Sequence, residues 1–190
     1  MSGDGGTTRE AWLSLLESHV KTDALIKHCL ATEAIMRALA RRLGEDEEAW
    51  GTAGLLHDLD FEETKNDPQE HGLKTAGILA SAGIGPEVIE CIKAHNAEAL
   101  GIERNTDFAH ALAAAETITG LIVATALVYP DQKLASVKPG SIIKRMKKKD
   151  FARAVNRQII MECEQVGLSL AEFVELSLKA MQGISDALGL

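Results

Sequence analysis

Apolar residues recur along this chain at steps of three and four, and the two-residue alternation of a half-buried strand is never sustained. Helix punctuation falls between the periodic stretches. Thr7 with Glu10 makes a capping box for a first helix through Leu16. Thr22 or Asp23 opens a second, which runs to Leu43 and stops at Gly44. The acidic run Glu45–Glu48 suits the positive end of a third helix dipole, and that helix reaches about His57. The polar stretch Asp58–Glu70, with Pro68 inside it, reads as a loop. Further helices are predicted over Gly72–Ser81 and over Pro86–His95, where proline suits the first turn. A long one runs from Thr106 or Asp107 to just before Pro130, apolar on most faces like a central buried helix. Residues 129–140 read as a loop, Ile142–Lys147 as a short helix, and Asp150–Gln165 as a helix closed by Gly167. Ser169 with Glu172 forms a second capping box, for a last helix to about Leu188. The pattern predicts an all-α single domain over residues 1–190, a helical bundle.

Composition fits that expectation. At 190 residues with 46% apolar and 25% charged side chains, the chain can bury one proper core and is neither disordered nor collagen-like. Aromatic residues are only 4%, so the core is expected to be aliphatic. A net charge of −8 argues against general nucleic-acid binding, which needs cations to displace the counterions of the backbone. The balance is uneven: residues 1–120 carry 10 basic and 21 acidic side chains, residues 121–190 carry 10 and 7. The C-terminal third can therefore face an anion. Cys29, Cys91 and Cys163 are an odd set without metal-knuckle spacing and read as reduced thiols of a cytoplasmic protein. The start of the chain lacks the basic and apolar segments of a secretory signal, and the apolar stretch Gly120–Val128 is too short to cross a bilayer.

The chemistry-bearing residues are ordered along the predicted helices. His28 comes in KHCLATE, His57 and Asp58 in LLHDLD, His71 in EHGLKTAGIL, His95 in IKAHN and Glu116 in AAAETITGLI. Imidazole nitrogen and carboxylate oxygen are the usual ligands of borderline divalent metals. Adjacent His57 and Asp58 at a helix end point in different directions, so one can bind a metal terminally while the other bridges to a second. A carboxylate at Glu116, inside a buried helix behind three alanines, is costly without a cation or a donor.

This ordered set, over roughly residues 20–125, resembles the HD superfamily of metal-dependent phosphohydrolases, and more narrowly its small HDIG-type predicted hydrolases. GLLHDLD is similar to the family element LLHDID or LLHDIG, and HGLKTAGILASAG resembles HPEIGAEIL. SVKPGSIIKRMKKKDFARAVNRQII resembles a basic tail segment of one subfamily. The resemblance implies an HD core over about 20–125 with a helical extension over about 130–190. It implies that His28, His57, Asp58 and Glu116 hold one metal, and that Asp58 bridges to a second held by His71 and His95. His57 and Asp58 are then the catalytic pair. One or two divalent ions are implied, with Mn, Mg, Fe, Zn and Ni equally compatible. The family's last ligand is usually Asp; the extra methylene of Glu116 shifts the carboxylate by about an ångström or more. His95 is followed by Asn96, and no GYP element is present, which separates the chain from the cyclic-di-GMP branch.

The expected activity is hydrolysis of a phosphoester of a small phosphorylated molecule or nucleotide through a metal-activated water. A di-iron oxygenase on the same scaffold and a non-catalytic metal- or ligand-binding module are the alternatives. The expected partner is a small phosphorylated substrate, without nucleic acid or membrane; the apolar faces of the last helices either support a homodimer or close the core. The run KRMKKK, with Lys144, Lys147 and Lys148, is either a solvated face or an attractor of the anionic substrate, and Arg157 could add a bidentate phosphate contact. His19 and His110 read as ordinary histidines. Asp60, Glu62 and Glu63 read as a solvated acidic loop, the alternative being that one of them orients an imidazole or serves as general acid for the leaving group.

Overall fold

The computed structural model describes residues 8–190, so the capping box expected at Thr7 lies outside the described residues. The first helix, α1 (Arg9–His19), is capped by Thr8, whose hydroxyl oxygen accepts from the Ala11 amide at 3.4 Å. α2 (Asp23–Leu43) ends at Gly44 in the left-handed conformation, as the sequence predicts. α3 (Glu47–Leu56) begins at Asp46, whose carboxylate accepts from the amides of Glu48 and Ala49. A short α4 (Phe61–Thr64) interrupts the expected loop. Then come α5 (Leu73–Ser81), α6 (Pro86–His95), a single turn α7 (Ala97–Leu100) and the long α8 (Asp107–Leu127). No strand occurs among the described residues, and the fold is all-α.

α2 and α3 are held unusually close. A Cβ added at Gly54 would sit 2.9 Å from main-chain atoms of Glu33, so only glycine fits that crossing. Glu33 is buried, yet its carboxylate takes two bonds from Arg9 and one from Arg37, and Arg37 also grips Glu48. These pairs tie α1, α2 and α3 together and compensate the buried charge. On the other side of α3, Trp50 stacks on Phe108 of α8, with ring centroids 5.0 Å apart.

α8 is the centre of the bundle. By length and composition it could cross a membrane, but 67% of its most apolar stretch is buried inside the fold. Its many alanines leave room for α2, α6 and the C-terminal elements to pack on all sides.

The C-terminal region departs from expectation. A 3-10 turn covers Leu134–Ser136, α9 spans Pro139–Met146, and the helix expected over Asp150–Gln165 does not form. Asp150 caps nothing there, and Ala152 adopts a φ of +46°, which breaks any helix at that point. Asn156 caps α10 (Arg157–Ile160) instead, followed by a 3-10 turn over Met161–Glu164. The Ser169–Glu172 capping box is present at the head of α11 (Leu170–Gln182), and α12 (Ser185–Leu188) closes the described structure. α11 packs on α2, α8 and α9, and one continuous core runs from Leu16 to Leu188. Cys29, Cys91 and Cys163 are free thiols within that core.

Candidate metal centre

Four elements deliver the imidazoles. His28 lies in the second turn of α2, His57 caps the end of α3, His71 precedes α5, and His95 is the last residue of α6. The close crossing at Gly54 brings the Nε2 atoms of His28 and His57 to 3.1 Å. Those of His71 and His95 are 2.9 Å apart. Asp58 stands between the two pairs, and its two oxygens face different ones. Oδ2 lies 3.6 Å from Nε2 of both His28 and His57. Oδ1 lies 3.3 Å from Nε2 of His71 and 3.6 Å from that of His95. Two overlapping sets of possible ligands result: His28, His57 and Asp58, and Asp58, His71 and His95.

The outward nitrogens decide the tautomers. Nδ1 of His57 meets the Gly54 carbonyl and Nδ1 of His95 meets the Ile92 carbonyl; a carbonyl can only accept, so both nitrogens carry hydrogen. Nδ1 of His71 meets the Asp60 carboxylate at 2.8 Å and donates likewise. Nδ1 of His28 lies 2.9 Å from the Thr119 hydroxyl, which already donates to the Glu116 carbonyl, so the imidazole must donate to it. In the neutral rings all four inward Nε2 atoms therefore present lone pairs to one another. Two pairs of acceptors at about hydrogen-bond distance repel unless a cation lies among them. This donor set, neutral imidazoles fixed from behind around a carboxylate, fits divalent metal.

The electrostatics agree. Burial pushes the His57 imidazolium down to about 3, so that ring is neutral. Burial pushes the Asp58 carboxyl up, but the imidazoles gathered around it, His57 first, outweigh burial and hold it well below the usual range. Burial also opposes charge on His71, yet the flanking carboxylates of Asp58 and Asp60 raise it to about 9. In the metal-free protein one proton on His71 thus does part of a cation's work.

Glu116 joins neither set of possible ligands. It borders the site and feels the charges of His28, His95 and Asp58, but its carboxylate accepts from the neighbouring Thr117 hydroxyl. Burial raises its pKa. Thr117 is thus the donor that the three preceding alanines could not be.

The basic run is not brought to the imidazoles. Lys144 and Lys148 line a separate hollow with Val128 at the far end of α8, and Lys147 is exposed. Val128 lies nine residues beyond Thr119, about 14 Å along the axis. Burial of Ile142 turns the opposite, lysine-bearing side of α9 to solvent. Arg157 does not reach out for phosphate either: its guanidinium donates to the carbonyls of Lys148, Phe151, Ala152 and Val155, locking the turn that replaces the expected helix.

Among the three acids after Asp58, only Asp60 departs fully from a solvated loop. It is 1% exposed, and its carboxylate accepts from His71 Nδ1 and from the amides of Gly72 and Thr75. Gly72, at φ +85°, supplies a turn that most side chains resist. Glu62 accepts from the amides of Lys21 and Thr22 at the head of α2, and Glu63 makes only an exposed pair with Lys74. Three further residues support the site without any signal for that role in the sequence. Thr119 fixes the tautomer of His28. Asn96 donates to the carbonyls of Pro68 and His71. Arg104 donates to the His95 carbonyl while paired with Glu98 and Glu162. None has a local pattern, since each acts across the fold. His110, an ordinary histidine by its sequence context, completes that last group by bonding Glu162.

A family model described as HD domain matches residues 25–126, just over half of the chain. No curated protein and no solved structure matches.

Proposed function

Since the chain belongs to the HD-domain family, a metal-dependent phosphohydrolase-type superfamily, we propose that it hydrolyses a phosphoester of a small phosphorylated molecule at the His/Asp cluster. The observation that carries this reading is the convergence of four imidazole Nε2 atoms on Asp58, each ring held from behind by a group that accepts its Nδ1 hydrogen. His28, His57 and Asp58 would hold one divalent ion, and Asp58, His71 and His95 a second. Such ions supply a water nucleophile at neutral pH and stabilise charge on the phosphoryl oxygens.

The protein's own part is positional. Asp58 stays ionised, so both of its oxygens remain ligands. Asp60, Thr119 and the carbonyls of Gly54 and Ile92 keep every imidazole in the inward-facing tautomer. Glu116 remains a candidate further ligand of the first set, reached by giving up the Thr117 hydroxyl.

His57→Ala and Asp58→Ala should each lose bound metal, and with it hydrolysis of p-nitrophenyl phosphate in the presence of manganese or magnesium, while far-ultraviolet circular dichroism keeps its helical form. Unchanged metal content in both variants would remove the site as assigned. Consumption of oxygen by a two-iron form, without phosphatase activity, would favour the oxygenase.

A further inference from the structure

A cavity of about 380 Å³ opens beside His28, between α2, α8 and the C-terminal segment. That volume is within the range that takes a small organic ligand. His28, whose Nε2 faces Asp58, and Thr119, which holds the back of its ring, both line it. The rest of the wall is chiefly Ala31, Val123, Ala124, Leu127 and Leu188. Its axis follows one face of α8. Thr119, Gly120, Val123 and Leu127 recur there at helical spacing, from the residue behind the His28 ring to an exposed end about 12 Å away.

Of the few polar side chains on this wall, Thr119 is fully engaged, and Lys27 is half-exposed with one of its three donors taken. The Thr119 hydroxyl donates to the Glu116 carbonyl and accepts from His28. Lys27 is paired with Asp23 at 2.9 Å. A ribose or other sugar placed here would bury most of its hydroxyls against carbon, with Lys27 as the one side chain that keeps free donors, at a cost that an alkyl or aryl group does not meet. The basic side chains suited to polyphosphate stand around another hollow.

Resting on the phosphohydrolase reading above, we propose that the substrate is a phosphomonoester of an apolar alcohol. Its phosphate sits at the His/Asp cluster, and its hydrocarbon part lies in the cavity along α8. Nucleotides and sugar phosphates are disfavoured by the same wall.

The test is calorimetric binding of methyl, butyl and octyl phosphate to the manganese-loaded protein. Affinity should rise by about three- to fourfold for each methylene that enters the cavity, or on the order of a hundredfold from butyl to octyl. Ala124→Phe, which fills the cavity, should abolish that dependence on chain length. Equal affinities for the three esters, no binding of octyl phosphate, or a gain that persists in folded Ala124→Phe would each overturn the proposal. The wild-type series decides the matter even if the variant does not fold. Turnover is read separately. A clear dependence of binding on chain length with no cleavage of any ester under manganese, magnesium or iron would refute the phosphohydrolase reading instead.

Discussion

At His71, two carboxylates compete with burial and win. Asp58 and Asp60 together lift this imidazole to about 9, so the metal-free protein carries a proton there at neutral pH. His57, driven to about 3 by burial, carries none. The sign follows: His71 has a higher pKa folded than its ordinary 6.5, so its stabilising charge is fully present below pH 6.5 and lost as pH rises through about 9. A metal ion must displace that proton. Metal binding between pH 6.5 and 8.5 should therefore release about one proton per chain from His71, and the release should fade above pH 9. Calorimetric titrations in buffers of different ionisation enthalpy measure it, and a release that does not vary with pH would contradict the assignment. Asp60 gives a second prediction. In Asp60→Asn the amide can be accommodated by turning its oxygen to the Gly72 and Thr75 donors, but its NH2 then meets the Nδ1 hydrogen of His71. The ring would move its hydrogen to Nε2 and lose its inward lone pair. Metal affinity should fall by about 10- to 100-fold with the fold intact. Competition with a fluorescent chelator is the measurement. At this scale the sequence order of His28, His57, Asp58, His71 and His95 was informative because a metal site restricts residue type. Thr119 was not legible, because its value comes from lying one helix away from His28, ninety-one positions along the chain.

Among the elements, the crossing of α2 and α3 controls the site. His28 and His57 meet because Gly54 lets the backbones touch, and the same residue's carbonyl fixes the His57 ring. Gly54→Ala would place a Cβ 2.9 Å from the Glu33 backbone, and no flexible side chain is there to yield. The helices must part. We expect a loss of about 1–3 kcal/mol, the usual cost of overpacking, and weaker metal binding at the His28–His57–Asp58 set. Chemical denaturation with and without metal checks both. Gly77, where an added Cβ meets nothing, is the control: Gly77→Ala should be neutral or slightly stabilising in the middle of α5. The helix ends show what could be read in advance. Gly44 ends α2 and Ser169 with Glu172 begins α11 through local chemistry, and both were legible. Asp150 offered an equally plausible cap. It failed because Ala152 turns left-handed and Arg157 folds back onto the main chain, a tertiary arrangement without any periodic trace.

On the scale of the whole molecule, the family match ends at residue 126, but the core does not. Phe173, Val174 and Met181 of α11 are fully buried, and α11 packs on the same α2 that carries His28. The C-terminal elements also form part of the cavity beside the metal centre, through Leu188. If this is one cooperative unit, damage to α11 must be felt at the imidazoles. Phe173→Ala should cost about 3–5 kcal/mol by leaving a large void. For a chain of this length that lowers Tm by about 6–20 °C. The unfolding should remain a single transition, with helical signal and bound metal lost at the same temperature. Two transitions, with metal retained through the first, would mean instead that residues 130–190 fold apart from the helices that hold the site.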